Sequence, residues 1–88
     1  MEFEFDPVKS ASNKKKHGID LTEAQRVWQD PSMIEGPGQC TKEVRWLAVG
    51  TIDGICWTAC FTYRGENIRL IECRRARKEE RDVYEFSK

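Results

Sequence analysis

Long apolar runs are missing from this sequence, and so are CxxC pairs, a net charge and all but one histidine. The first absence excludes a helical membrane span, which needs ~20 consecutive apolar residues. The second removes the commonest spacing of a structural zinc site. Fifteen basic and fifteen acidic side chains cancel, so the chain is no global magnet for nucleic acid and any such role falls to local patches. No signal-peptide pattern precedes Glu2 and Glu4, so a cytosolic location is expected. With one imidazole, His17 is the only side chain whose unperturbed pKa, ~6.5, suits proton transfer at neutral pH.

What remains is enough for one domain with one core over residues 1–88, small enough that a stable partner is no surprise. Acids crowd the amino end at Glu2, Glu4 and Asp6, while bases crowd Lys9 to Lys16 and the run "RRARKEER" from Arg74 to Arg81. Cys40, Cys56, Cys60 and Cys73 allow two bridges in an oxidising compartment, whereas a reducing cytosol leaves thiols. A zinc site is the other option, but on one strand Cys56 and Cys60 stand about 13 Å apart, too far to share an ion held at about 2.3 Å per sulfur. Buried apolar thiols are the favoured reading.

Residues 2 to 5 alternate as Glu-Phe-Glu-Phe, the pattern of a half-buried strand. Asp6-Pro7 then supplies a capping carboxylate and a proline suited to the first helical position, predicting a helix from Pro7 that stops at Gly18. A second helix is predicted from near Leu21, capped by Asp20 or Thr22, with Leu21, Ala24, Val27 and Trp28 on one face, ended by Asp30-Pro31. Met33 to Lys42 has no periodicity and reads as a loop. Beyond it the period drops to two, predicting strands at 44–52, 55–63 and 68–75, joined by Asp53-Gly54 and by Arg64-Gly65-Glu66-Asn67. Residues 76 to 86 return to helical spacing. The expected fold is α+β: a small antiparallel sheet of the N-terminal strand plus a three-stranded meander, two N-terminal helices and one C-terminal helix, with the helices on one side.

Chemistry has few candidates. Arg45, Arg64, Arg69, Arg74 and Arg75 lie on or beside strands, where a guanidinium needs solvent, a carboxylate or a ligand. A solvated edge with Glu72 near Arg74 is the bland reading; a phosphate site is the functional one. Strict alternation sets Arg69, Ile71, Cys73 and Arg75 on one face and Leu70, Glu72 and Arg74 on the other. His17, after Lys14 to Lys16, suits the end of a helix as a capping cation as well as proton transfer. Glu80 shares a helical face with Tyr84, Ala76 and Val83, and pairing with Arg74 or Arg69 is favoured over acid/base work. Trp57 is expected in the core; Trp46 and Tyr63 offer further bulk or base-stacking surfaces.

In order, these features resemble the BrnT toxins. The resemblance runs through Asp6, Pro7, Lys9, Asn13, Lys16, His17 and Gly18, then Ala24 and Asp30-Pro31. It continues in "VRWLAVG" with Arg45 and Gly50, "FTYRG" with Thr62 and Arg64, and "IRLIECRRARKEERDVYE" with Arg69, Arg74, Ala76, Glu80 and Tyr84. It implies a RelE-like endoribonuclease, the toxin of a bacterial type II toxin-antitoxin pair, which cleaves RNA without a metal or other cofactor and slows translation. The implied partner is a BrnA-type antitoxin with a ribbon-helix-helix domain, through which alone operator DNA is reached; no membrane is involved. By position, His17 and Glu80 become acid/base candidates, Arg64 and Arg74 phosphate ligands, and Tyr84 a donor or stacking group. Lys16, Arg45, Arg69 and Arg75 become RNA-binding residues. The chain departs from the family pattern at Glu72-Cys73-Arg74, where Ser-Ala-Arg is usual, at Arg77 in place of Thr, and at Leu21 in place of a common Phe. An anion at Glu72 beside a phosphate-binding arginine opposes RNA, so a silent relative acting as antitoxin partner and corepressor is the alternative.

Overall fold

The computed structural model describes residues 2–38 and 44–88. Cys40 and the far end of the expected loop lie outside them. Strands β1 (Phe3–Glu4), β2 (Ile34–Pro37), β3 (Trp46–Ile52), β4 (Ile55–Arg64) and β5 (Asn67–Arg75) form one sheet in the order β1-β5-β4-β3-β2. Helix α1 (Pro7–His17), a 3-10 helix (Glu23–Gln29) and helix α2 (Lys78–Phe86) complete the α+β fold.

Local chemistry explains most boundaries. Asp6 accepts the Val8 N–H at 2.8 Å ahead of Pro7, and Gly18, at φ 79°, closes α1 with its N–H on the Lys14 carbonyl. Ile52 pairs with Ile55 and Arg64 with Asn67, so both hairpins turn on two residues, Asp53-Gly54 as expected and Gly65-Glu66 in place of the longer connection expected from Arg64 to Asn67. Asp20 and Glu23 exchange hydrogen bonds with each other's backbone N–H at 2.7 and 3.0 Å, a reciprocal cap at the start of the second helix.

Four expectations need correction. The second helix is 3-10: fully buried Leu21, Ala24 and Val27 stand three apart, which is the 3-10 period and lines them up in one row. Residues 34 to 37, read as loop, form β2, antiparallel to β3; its pairing comes from β3's open edge rather than from any pattern in Ile-Glu-Gly-Pro, and Pro37 is tolerated because β2 is the sheet edge. The sheet is mixed, since β1 runs parallel to β5. Nor do the helices share a side. Leu21, Ala24 and Val27 pack with Ala48, Ala59 and Phe61, whereas Tyr84 and Ala76 pack with Val49. Ala48 and Val49 are consecutive in β3 and so face opposite ways.

The sheet is also irregular at one point. Cys60 faces Glu72 while Phe61 faces Leu70, leaving Ile71 as an extra residue in β5. The bulge resets alternation, so Ile68, Leu70 and Cys73 all point into the core. Opposed residues share a face, and through Thr62, Cys60 and Thr58 this sets Arg69, Glu72 and Arg74 together. Strict alternation had separated Arg69 from Arg74.

Two close approaches fix the layers. Gly50 leaves little room for a side chain, because a Cβ there would lie 3.1 Å from the Val27 carbonyl oxygen, and that backbone would have to give way where the 3-10 helix crosses β3. Helix α1 buries no apolar stripe: Val8 and Ala11 are exposed, and its buried residues are Ser10 and Asn13. Ser10 Oγ accepts the Leu21 N–H at 2.9 Å. The Asn13 carboxamide donates to the Ile19 and Cys73 carbonyls at 2.7 and 2.8 Å and accepts the Cys73 N–H at 3.1 Å. It thereby takes the place of a neighbouring strand along β5, past the end of β1.

Asn13→Ala leaves three buried backbone groups unpaired and is predicted to cost about 2–4 kcal/mol in urea unfolding. A loss within the scatter of surface substitutions would contradict this role.

Candidate functional site

Beyond Asn13, α1 makes one more turn and ends at half-buried His17, on the same helical face as Ser10 and Asn13. Here α1 reaches the mouth of a cavity of about 770 Å³ on the sheet face that carries α2. Thr58, Cys60, Glu72 and Arg74 belong to its floor in β4 and β5, Arg45, Leu47 and Pro37 to the β2–β3 side, and Arg77, Glu79 and Glu80 to the start of α2.

One ion pair organises the floor. Arg74 binds Glu80 with both terminal guanidinium nitrogens, Nη1 to Oε1 at 2.8 Å and Nη2 to Oε2 at 2.9 Å. Thr58, which lies opposite Arg74 in the sheet and is 1% exposed, donates its hydroxyl to Glu80 at 3.0 Å. The Arg77 N–H adds 2.7 Å. The Arg74 guanidinium, against a smaller opposing effect of burial and helped by the Arg77 and Thr58 donors, lowers the Glu80 carboxyl to about 2. In turn the Glu80 hydrogen bonds raise the Arg74 pKa. The pair anchors the start of α2 to β5, as favoured for Glu80 from the residues alone, and Glu72 is not Arg74's hydrogen-bond partner.

Four of the nine residues singled out in the sequence line this cavity: His17, Arg45, Arg74 and Glu80. Arg64 and Arg69 stand further along the same sheet face, each 3.6 Å from Glu4. Lys16 is exposed beside His17. Arg75 projects from the opposite face, its guanidinium 5.4 Å from the centre of the buried Trp57 ring. Tyr84 is 2% exposed and gives its hydroxyl to Asp30 at 2.6 Å. That bond belongs to a second anchor, since Asp30 also accepts from the Thr51 N–H and hydroxyl and from the Ser32 N–H. Burial pushes the Asp30 carboxyl up, but these donors, Tyr84 first, outweigh it and hold it at about 2. Asp30 therefore ties the 3-10 helix, β3 and α2 together.

Thr58, Cys60 and Arg77 were not singled out as site residues. For Thr58 a signal existed, a hydroxyl in an apolar strand, but its register against Arg74 was invisible. Burial raises the Cys60 thiol against the opposing pull of Arg45, so it stays protonated at neutral pH and is no nucleophile. Burial likewise lifts the Cys73 thiol to about 12. Among the described residues no three His, Cys, Asp or Glu side chains gather as a metal site. No described helix is long and apolar enough to cross a membrane.

The cavity thus holds three arginines, three glutamates and an imidazole among the described residues. Fixed guanidinium groups beside an imidazole can bind a phosphodiester and move a proton on it.

The lowered carboxyls also set an acid limit. A group whose folded pKa is depressed stabilises the fold above its unfolded pKa and loses that contribution as pH falls through the folded value. For Glu80 the window runs from the ordinary 4.5 down to about 2, and the contribution is about 3 kcal/mol at neutral pH. Glu80→Gln is predicted to lower stability at pH 7 and to flatten its decline between about pH 5 and 2 in urea titrations; an unchanged slope would contradict the ion pair.

No curated protein matches the chain. Residues 5–80 match the family model described as "Ribonuclease toxin, BrnT, of type II toxin-antitoxin system", and the chain belongs to that family.

Proposed function

We propose that this protein is a metal-independent endoribonuclease, a single RelE-like domain that cleaves RNA in the cytoplasm, inhibits translation and is neutralised by a BrnA-type ribbon-helix-helix antitoxin. The observation that carries the reading is that His17, from the end of α1, and Arg74, from β5, line one cavity. In this reading the ribose 2′-oxygen attacks the adjacent phosphorus and the bond to the 5′-oxygen breaks. The products are a 2′,3′-cyclic phosphate and a 5′-hydroxyl. His17 takes the 2′-hydroxyl proton or delivers one to the leaving oxygen, water exchanges the other proton, and Arg74, with Arg45 and Arg77, meets the charge that builds on the phosphoryl oxygens.

Glu80 has a different part from the one its position suggested. A carboxylate with a pKa of about 2 is too weak a base for proton transfer at neutral pH, so its contribution is to aim Arg74. Tyr84 acts at one remove by holding α2 through Asp30. Lys16, Arg64 and Arg69 suit the flanking RNA strand, whereas Arg75 faces away.

Purified protein is expected to cleave RNA in EDTA, and His17→Ala to lower the rate by about 10²-fold or more while circular dichroism stays unchanged. Arg74→Lys, which keeps a charge against Glu80 but loses the fork, is expected to fall comparably. Folded variants that cleave RNA and arrest growth as well as the parent would overturn both assignments.

A second reading has its own observation. Glu72, Glu79 and Glu80 balance Arg45, Arg74 and Arg77 in the cavity, and Arg74 is already engaged by Glu80. That balance favours a silent relative serving as the antitoxin's partner and corepressor. Intact antitoxin binding with no cleavage of labelled RNA would support it; cleavage would remove it.

A further inference from the structure

The Arg74–Glu80 pair leaves a carboxylate unaccounted for. Glu72 is half-buried, lines the cavity, and points to the same sheet face as Arg74 two residues away. Across the sheet it stands opposite Cys60, whose thiol is a poor donor. Arg74 turns to Glu80 instead, and no hydrogen bond or ion pair among the described residues engages the Glu72 carboxylate. A partly buried carboxylate in the wall of a cavity can exchange its water for a donor on a ligand.

Resting on the ribonuclease reading, we infer that Glu72 is a specificity-determining residue that selects guanine in single-stranded RNA next to the phosphate held by Arg74. A phosphate cannot be the group that meets Glu72, because two anions would repel. A base can. Two residues along a strand span about 7 Å, so a phosphate on Arg74 leaves the adjoining nucleotide's base over Glu72. Unstacked RNA bases are read at their Watson–Crick edges. Guanine offers two adjacent donors there, N1–H and the N2 amine, which match both oxygens of one carboxylate as an arginine fork does. Adenine and cytosine offer one exocyclic amine beside a ring nitrogen that is itself an acceptor, and uracil offers one N–H between two carbonyls. Only guanine satisfies both carboxylate oxygens without opposing an acceptor. The anion that opposes the backbone therefore becomes a filter, tolerating RNA where a guanine is available and rejecting it elsewhere.

The test uses fluorescent single-stranded oligonucleotides with 2′-O-methyl riboses, which cannot be cleaved by 2′-oxygen attack. They are identical but for one position carrying guanine, inosine, adenine, cytosine or uracil in a uniform adenine background. Binding to the full chain is read by anisotropy at fixed salt, and cleavage is followed in parallel on the 2′-hydroxyl series. Guanine is expected to bind about tenfold or more tighter than adenine, cytosine or uracil, with inosine, lacking the N2 amine, between. Glu72→Ser is expected to bind all five more tightly and nearly equally, and Glu72→Gln, which offers one acceptor only, to lose most of the guanine preference. Guanine-selective binding without cleavage would support the inference while removing the ribonuclease reading. Cleavage with no guanine preference, or a preference that Glu72→Ser leaves intact, would overturn the inference and spare the ribonuclease. Failure to bind any of the five would overturn it as well.

Discussion

The carboxamide of Asn13 holds α1 against the sheet, and the cavity depends on it. That helix has no apolar face to bury, so its position rests on hydrogen bonds that join Ser10 and Asn13 with backbone groups of the next segment and of β5. Hydrogen bonds are directional where apolar contact is not. A helix held by an amide clasped to the N–H and C=O of one residue, Cys73, has its position along β5 set by that residue. One turn later stands His17. The imidazole comes to the cavity mouth because Asn13 is registered on the strand that carries Arg74.

The opposite wall is built by a different pair of polar anchors. Asp30 gathers the 3-10 helix, β3 and the Tyr84 hydroxyl, and Glu80 gathers Thr58, Arg74 and the backbone at the start of α2. Between them lies a small core of Val49, Ala76 and Tyr84, supported by Ile34 and Cys56. A small chain has limited apolar surface to bury. Here much of the positioning passes to carboxylates kept ionised by their donors, which makes the site rigid and the fold sensitive to acid. The same anchoring fixes the Arg74 guanidinium against Glu80, and in the proposed reaction a fixed cation is what developing charge would need.

Features governed by neighbouring residues were legible in the sequence. The Asp6-Pro7 cap, the Gly18 stop, both hairpins and the burial of Trp57 follow from rules of a few residues' range. Features governed by pairing across the fold were not. Ile-Glu-Gly-Pro becomes β2 only because β3 offers an edge, and the extra residue Ile71 in β5 shows only in its register against β4. Three-residue spacing from Leu21 to Val27 resembled an α-helical stripe because the two periods differ little over so short a span. Tyr84 was drawn toward the site by sharing a helical face with Glu80, yet one hydroxyl bond to Asp30 commits it elsewhere. The cavity's own membership was half legible: His17, Arg45, Arg74 and Glu80 stood out as charged or titratable groups, whereas Thr58 and Arg77 gain meaning only from Glu80.

The most direct measurement is the chemistry of the cut end. A labelled RNA is incubated with the purified protein in EDTA beside a copy carrying a single 2′-deoxy ribose at the cleaved position. The proposed reaction, with an imidazole and an arginine lining one cavity, predicts 2′,3′-cyclic phosphate ends from the first and no cut at that position in the second. Cleavage that persists at the deoxy position, or that appears only when a divalent metal is restored, would contradict it.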